Sequence, residues 1–204
     1  MELYDTEEQQ VEAIKDWWKE NGKAVIIGAV VGLGGLFGWR YYQDSVIQAS
    51  EAASQNYTTA INALQEKGVD AQAEVQAFID SSKAKEYSVL AALQLAKSQV
   101  EAQDLSAALE QLKWAQSSTE DAALSPLISY RIARIEAELG NFDAATSELS
   151  KVTETAWTGR IAELRGDIAL RQGDKDAAYA AYTEAQQATD ASPTLQMKLD
   201  DLAK

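Results

Sequence analysis

Between Ala24 and Trp39 the chain runs sixteen residues without a charge, inside the stretch WWKENGKAVIIGAVVGLGGLFGWRYY that occupies 17–42. A helix in a soluble core hides one face and keeps the other polar, whereas this run is apolar all round. At helical rise it spans roughly 24 Å, somewhat short of a hydrocarbon core of ~30 Å. The flanks make up the difference. Trp17 and Trp18 precede it, and Trp39, Tyr41 and Tyr42 close it, the side-chain types that settle at membrane interfaces. Lys19, Lys23 and Arg40 have stems long enough to carry their charges outward. The run reads as a membrane span. Acids outnumber bases in the mostly polar segment before it, and the bulky WRYY stands where a cleavable signal has small residues, so the span reads as an uncleaved signal anchor.

Basic residues set the orientation of such a span. Lys15, Lys19 and Lys23 lie before it, and Arg40 stands alone after it until Lys67. The expected layout is a cytoplasmic arm over 1–23, the span over 24–42 and an exported domain over 43–204. Within the span Ala24, Gly28, Gly32 and Gly35 recur at i, i+4, i+8 and i+11. A face of small residues lets a second helix approach closely, and that helix could be another copy or a different protein. Glycine is also simply common in membrane helices.

The arm, DTEEQQVEAIKDWWKENG, reads as a short amphipathic helix. Thr6 and Gln9 have the spacing of a capping box. Val11, Ile14, Trp17 and Trp18 make an apolar stripe, and Asn21-Gly22 reads as a stop before the span. Such a helix could dock a cytoplasmic regulator or the membrane surface, or only cap and orient the span.

Beyond the span the chain repeats. LQLAKSQVEAQDLSAALEQLKWA from Leu93, YRIARIEAELGNFDAATSELSKV from Tyr130 and LRGDIALRQGDKDAAYAAYTEA from Leu164 align, with turns at Gln103-Asp104, Gly140-Asn141 and Gly173-Asp174. Each turn is followed by paired alanines, and four residues later by a large residue: Leu112, Leu149 or Tyr182. Glycine or Asn/Asp ends a helix and turns the chain, alanine lets two helices close up, and the large residue fills the next layer. With only two Pro and abundant Ala, Leu, Gln and Glu, the chain reads as all-α. The spacing resembles the tetratricopeptide repeat, best in the third copy, which has Gly166 where the others have Ala96 and Ala133. Residues 41–85 read as a divergent further hairpin broken at Gly68. SPTLQMKLDDLAK reads as a capping helix with Ser192 as N-cap and Pro193 at its first position, covering the last hairpin with Leu195, Met197, Leu199 and Leu202.

The chain has no His and no Cys, which removes the usual zinc sites, thiol nucleophiles and imidazole acid-base chemistry. No phosphate-binding glycine loop is present outside the apolar run. Glu163 and Asp167, flanked by Arg160 and Arg171, read as a solvated ion-pair ladder. A net charge of −14 opposes nucleic acid. No catalytic residue, metal or cofactor is expected. Stacked helical hairpins instead offer a curved surface to a peptide or protein. The residues expected on it are Leu90, Leu93, Lys97, Tyr130, Arg134, Arg160, Glu163 and Asp167, with the alternative that Leu90, Leu93 and Tyr130 are core.

QVEAIKDWWKENGK (10–23), the glycine-rich span ending GWRYY, and LRGDIALRQGDKDAA (164–178) together resemble the YfgM family, the ancillary subunit of the SecYEG translocon of Gram-negative bacteria. The resemblance implies a single-pass inner-membrane protein with a periplasmic repeat domain. It implies association with SecYEG and with the anchored periplasmic chaperone PpiD, and passage of unfolded secreted clients to periplasmic chaperones. It also implies a link through the arm to the response regulator RcsB. The residues alone equally allow an envelope or cell-division scaffold that binds no clients.

Overall fold

The computed structural model describes residues 7–82 and 84–202. Among them the chain forms helices and no strand: α1 (Glu7–Lys67), α2 (Gln72–Ser81), α3 (Lys85–Glu101), α4 (Leu105–Ser118), α5 (Leu124–Glu138), α6 (Phe142–Leu149), α7 (Thr158–Arg171), α8 (Lys175–Gln186) and α9 (Leu195–Leu202). They fall into two units, Met1–Ala52 and Ala53–Lys204.

The first unit is the larger part of α1. Here the expected stop at Asn21-Gly22 is corrected, because both residues lie inside the helix. Asn21 turns its side chain back and donates Nδ2 to the Trp17 carbonyl at 3.0 Å, and the Trp18 ring covers Gly22. An asparagine whose amide finds a carbonyl one turn back no longer competes with the helix, and glycine accommodates the indole. Thr6, half of the expected capping box, lies outside the described residues. Val25, Ile26, Val30, Val31, Leu36 and Phe37 are all exposed. Among the described residues, α1 is the one helix long and apolar enough to cross a membrane.

The second unit is a succession of hairpins. α1 ends where Gly68 adopts a positive φ of 59°, and the short 3-10 turn Gly68–Ala71 leads into α2. Tyr57 from the end of α1 stacks on Phe78 and Tyr87, completing the divergent first layer. α3 pairs with α4, α5 with α6, and α7 with α8.

All three pairs turn by one device. Residues Gln103, Gly140 and Gly173 sit at φ of 65°, 80° and 86°. The next amide in each case reaches back to the last turn: Asp104 to Gln99, Asn141 to Glu136 and Asp174 to Ala169, at 2.8, 2.8 and 2.9 Å. This satisfies the carbonyls that a helix end leaves open. That same residue then begins the second helix. Asp104 and Asp174 accept from the backbone N–H of Ala107 and Ala177, whereas Asn141 gives its amide to Glu136 instead.

The core follows the repeat. Ala108, Ala145 and Ala178 are fully buried, as are the large residues Leu112, Leu149 and Tyr182. Gly166 stands against the Tyr182 ring, where the other two hairpins have buried Ala96 and Ala133 at the same repeat position. The 3-10 turn Thr155–Trp157 precedes α7. The carboxylate of Asp190, arriving from the segment after α8, accepts from the first amides of α7 at Gly159 and Arg160, where the helix dipole favours an anion.

The final helix departs from expectation in two ways. It starts at Leu195, not after Ser192. Ser192 accepts from the Thr194 N–H and meets its hydroxyl, so Pro193 and Thr194 form a turn before the helix. Leu195 and Leu199 are buried and Leu202 packs beside them, but Met197 is 67% exposed. Their spacing does not place four residues on one face of an eight-residue helix.

Candidate functional site

The inner side of the second unit holds a groove of about 610 Å³. Helices α3, α5 and α7, the first of each hairpin, build it with residues at matching repeat positions. One set is Lys97, Arg134 and Asp167; the next is Val100, Ala137 and Leu170; the third is Glu101, Glu138 and Arg171. Leu93, Ala96, Arg131, Ile135 and Leu164 also line it, with Leu105 and Leu112 reaching in from α4. The floor is thus apolar and the walls are charged.

Leu93, Lys97, Arg134 and Asp167, of the expected binding surface, are brought together here. Leu93 is at the same time part of the core. Leu90, Tyr130, Arg160 and Glu163 lie outside the lining. Tyr130 stacks on Trp157 at 5.5 Å, and Arg160 lies over that same indole at 5.1 Å. Burial raises the Tyr130 pKa. The residues missed are mainly those one turn further along each first helix. A signal for them exists: Lys97/Glu101, Arg134/Glu138 and Asp167/Arg171 are three opposite-charge pairs at i, i+4 in the same repeat register.

The expected solvated ladder of Arg160, Glu163, Asp167 and Arg171 is corrected. Glu163, Asp167 and Arg171 are claimed by other helices. Lys198 of α9 reaches Glu163 at 2.9 Å and Asp167 at 2.6 Å, and it lies over the Tyr182 ring. The Tyr182 hydroxyl donates to Asp167 at 2.6 Å. Arg171 pairs with Glu138 of α5 and donates to the Ala137 carbonyl at 3.1 Å. The ladder is therefore a set of ties between helices. Burial opposes the charge on Lys198, but its bonds to Asp167 and Glu163 outweigh that, and its pKa is raised. Burial and the Asp167 carboxylate push the Tyr182 phenol up as well.

Behind the groove, Glu136 is 5% exposed. Burial alone would raise its pKa, but bonds from Lys113 and Asn141, both at 2.8 Å, hold it below the ordinary range. A buried carboxylate so compensated fastens α4 and α6 to α5.

The small-residue set Ala24, Gly28, Gly32 and Gly35 lies along one face of α1. Nothing lies within 4 Å of where a side chain at any of the three glycines would project.

The described residues thus hold an N-terminal candidate span and a helical-repeat domain with an inner groove. The tetratricopeptide repeat-like domain family matches residues 15–204. The chain is 38% identical over 181 residues to the ancillary SecYEG translocon subunit of Haemophilus influenzae, covering 89% of each chain. It is 36% identical over 207 residues to that of Escherichia coli K12, covering both chains in full. The Aggregatibacter actinomycetemcomitans protein of the same name is 39% identical over 199 residues, 96% of this chain and 97% of its own length. The chain belongs to the family of ancillary SecYEG translocon subunits.

Proposed function

We propose that the chain is a single-pass inner-membrane adaptor that associates with SecYEG and holds unfolded segments of secreted proteins on their way to periplasmic chaperones. Residues 24–42 cross the membrane, 1–23 stay in the cytoplasm and 43–204 face the periplasm. The lysines before the span support this orientation. PpiD is the chaperone partner, and the arm is the point of contact for RcsB. Both assignments rest on the family resemblance. The small-residue face of α1 packs against a neighbouring membrane helix, where close approach gains dispersion contacts. The role is binding and not catalysis.

The observation that carries client binding is the groove, whose apolar floor and mixed charged walls suit a segment of varied sequence. The test uses full-length protein in nanodiscs and an outer-membrane protein diluted from urea. The expected result is slower client aggregation, lost on Leu170→Asp. Leu170 is 41% exposed and lines the groove, so the change alters the surface and spares the core. Aggregation at the unassisted rate would favour an envelope scaffold without clients.

A further inference from the structure

The charges in the groove do not balance locally. Every acid that lines it is engaged. Lys97 lies 3.6 Å from Glu101, Arg171 takes Glu138, and Lys198 and the Tyr182 hydroxyl take Asp167. Arg131 and Arg134 remain. Among the described residues, neither guanidinium makes a hydrogen bond or an ion pair. Glu138 stands one turn beyond Arg134 on α5, but it is held by Arg171 instead. Arg131 is half-buried, and burial first and then the neighbouring Arg134 depress its pKa. Two like charges three residues apart on one helix repel each other. The chain has 32 acids against 18 bases, yet among the described residues none of them forms an ion pair with either arginine.

We propose that Arg131 and Arg134 form a carboxylate-recognition site in the middle of the groove, which takes an Asp or Glu side chain of a bound segment whose flanking residues are apolar. This deepens the client-binding reading above and rests on it. A carboxylate relieves the repulsion within the pair, and guanidinium donors match its geometry. The acid lies within the segment and not at its end, because α5 is the middle of the three lining helices. Leu93 and Val100 of α3 lie to one side, and Leu164 and Leu170 of α7 to the other. An occupant crossing all three helices presents apolar residues both before and after its anion. A chain terminus would leave half of the floor empty.

The experiment is fluorescence anisotropy with full-length protein in mild detergent and short, end-capped, labelled peptides that alternate Leu and Ser. The central residue is Asp, Asn or Lys, and a fourth peptide has the Asn centre with a free C-terminal carboxylate. The Asp peptide should bind about tenfold more tightly than the Asn peptide, a typical effect of charge-assisted hydrogen bonds at a partly exposed site. The Lys peptide should bind more weakly than both. The preference should shrink as salt rises from about 50 to about 500 mM. It should vanish in Arg131→Gln/Arg134→Gln and persist in part in Arg131→Lys/Arg134→Lys, with unchanged helical circular dichroism in both. Equal binding of Asp and Asn peptides, an unchanged preference in the Gln variant, or a gain only with the free terminus would overturn the proposal and leave client binding standing. Failure of every peptide to bind the wild-type chain would overturn both.

Discussion

Gly166→Ala should destabilise the repeat domain, although alanine is the better helix former. A methyl group at 166 would lie 2.4 Å from both Cδ1 and Cε1 of the Tyr182 ring and 3.1 Å from Cζ. Ring or helix would have to retreat by about 1 Å to restore ordinary carbon contact. The ring has little freedom to do so. It is 1% exposed, its hydroxyl is tied to Asp167, and Lys198 lies over its face. Overpacking of this kind costs about 1–3 kcal/mol, and the gain in helix propensity returns about 1 kcal/mol. The net expectation is a loss of up to about 2 kcal/mol, read as a lower urea midpoint of full-length protein in mild detergent by circular dichroism at unchanged slope. In a Tyr182→Leu background the same substitution should be neutral or stabilising, since the pair then copies Ala96 with Leu112 and Ala133 with Leu149. A stabilising Gly166→Ala in the wild-type chain, or an equal cost in both backgrounds, would refute the claim that the ring forces glycine at 166.

Gln103→Gly should stabilise by about 0.5–1 kcal/mol in the same assay, because Gln103 holds at φ 65° a turn that glycine holds in the other two repeats. Asn141→Asp should cost about 2 kcal/mol at neutral pH, by replacing a donor to buried Glu136 with a second carboxylate; the penalty should fall in acid as carboxyl groups protonate. Lys198 and Tyr182 both have raised pKa values, so the stability they add is present at neutral pH and is lost as pH rises above the ordinary 10.0–10.5 range towards their folded values. Urea midpoints measured across alkaline pH should therefore fall more steeply for the wild-type chain than for Lys198→Met/Tyr182→Phe.

Much of the fold was legible because its determinants are local. The apolar run of α1 needs no partner to be recognised, and the turns at 103, 140 and 173 announce themselves by residue type and spacing. The paired alanines and the large residue after them mark the core directly, so that three hairpins follow from one pattern. What escaped depends on longer-range contacts. Asn21-Gly22 has the composition of a stop, but the Trp17 carbonyl and the Trp18 ring absorb both residues into the helix. Arg160 and Arg171 sit at ladder spacing from Glu163 and Asp167, but a lysine 31 residues beyond Asp167 takes both acids. Leu93, Lys97, Arg134 and Asp167 line the groove, while Tyr130 and Arg160 pack around Trp157 and Glu163 joins the tie to α9. Helical period gives the face; how far along the helix a neighbour covers it depends on α4 and α9, whose placement no local pattern encodes.

The chain is proposed to work at the translocon as an anchored adaptor. The most direct measurement is isolation of the full-length protein from membranes in mild detergent, with mass spectrometry of the proteins that accompany it, for the wild-type chain and for Gly28→Leu/Gly32→Leu. SecY, SecE and SecG should be recovered with a periplasmic chaperone from the wild-type chain, and markedly less from the variant. Recovery of division or wall-synthesis proteins without channel subunits would contradict it.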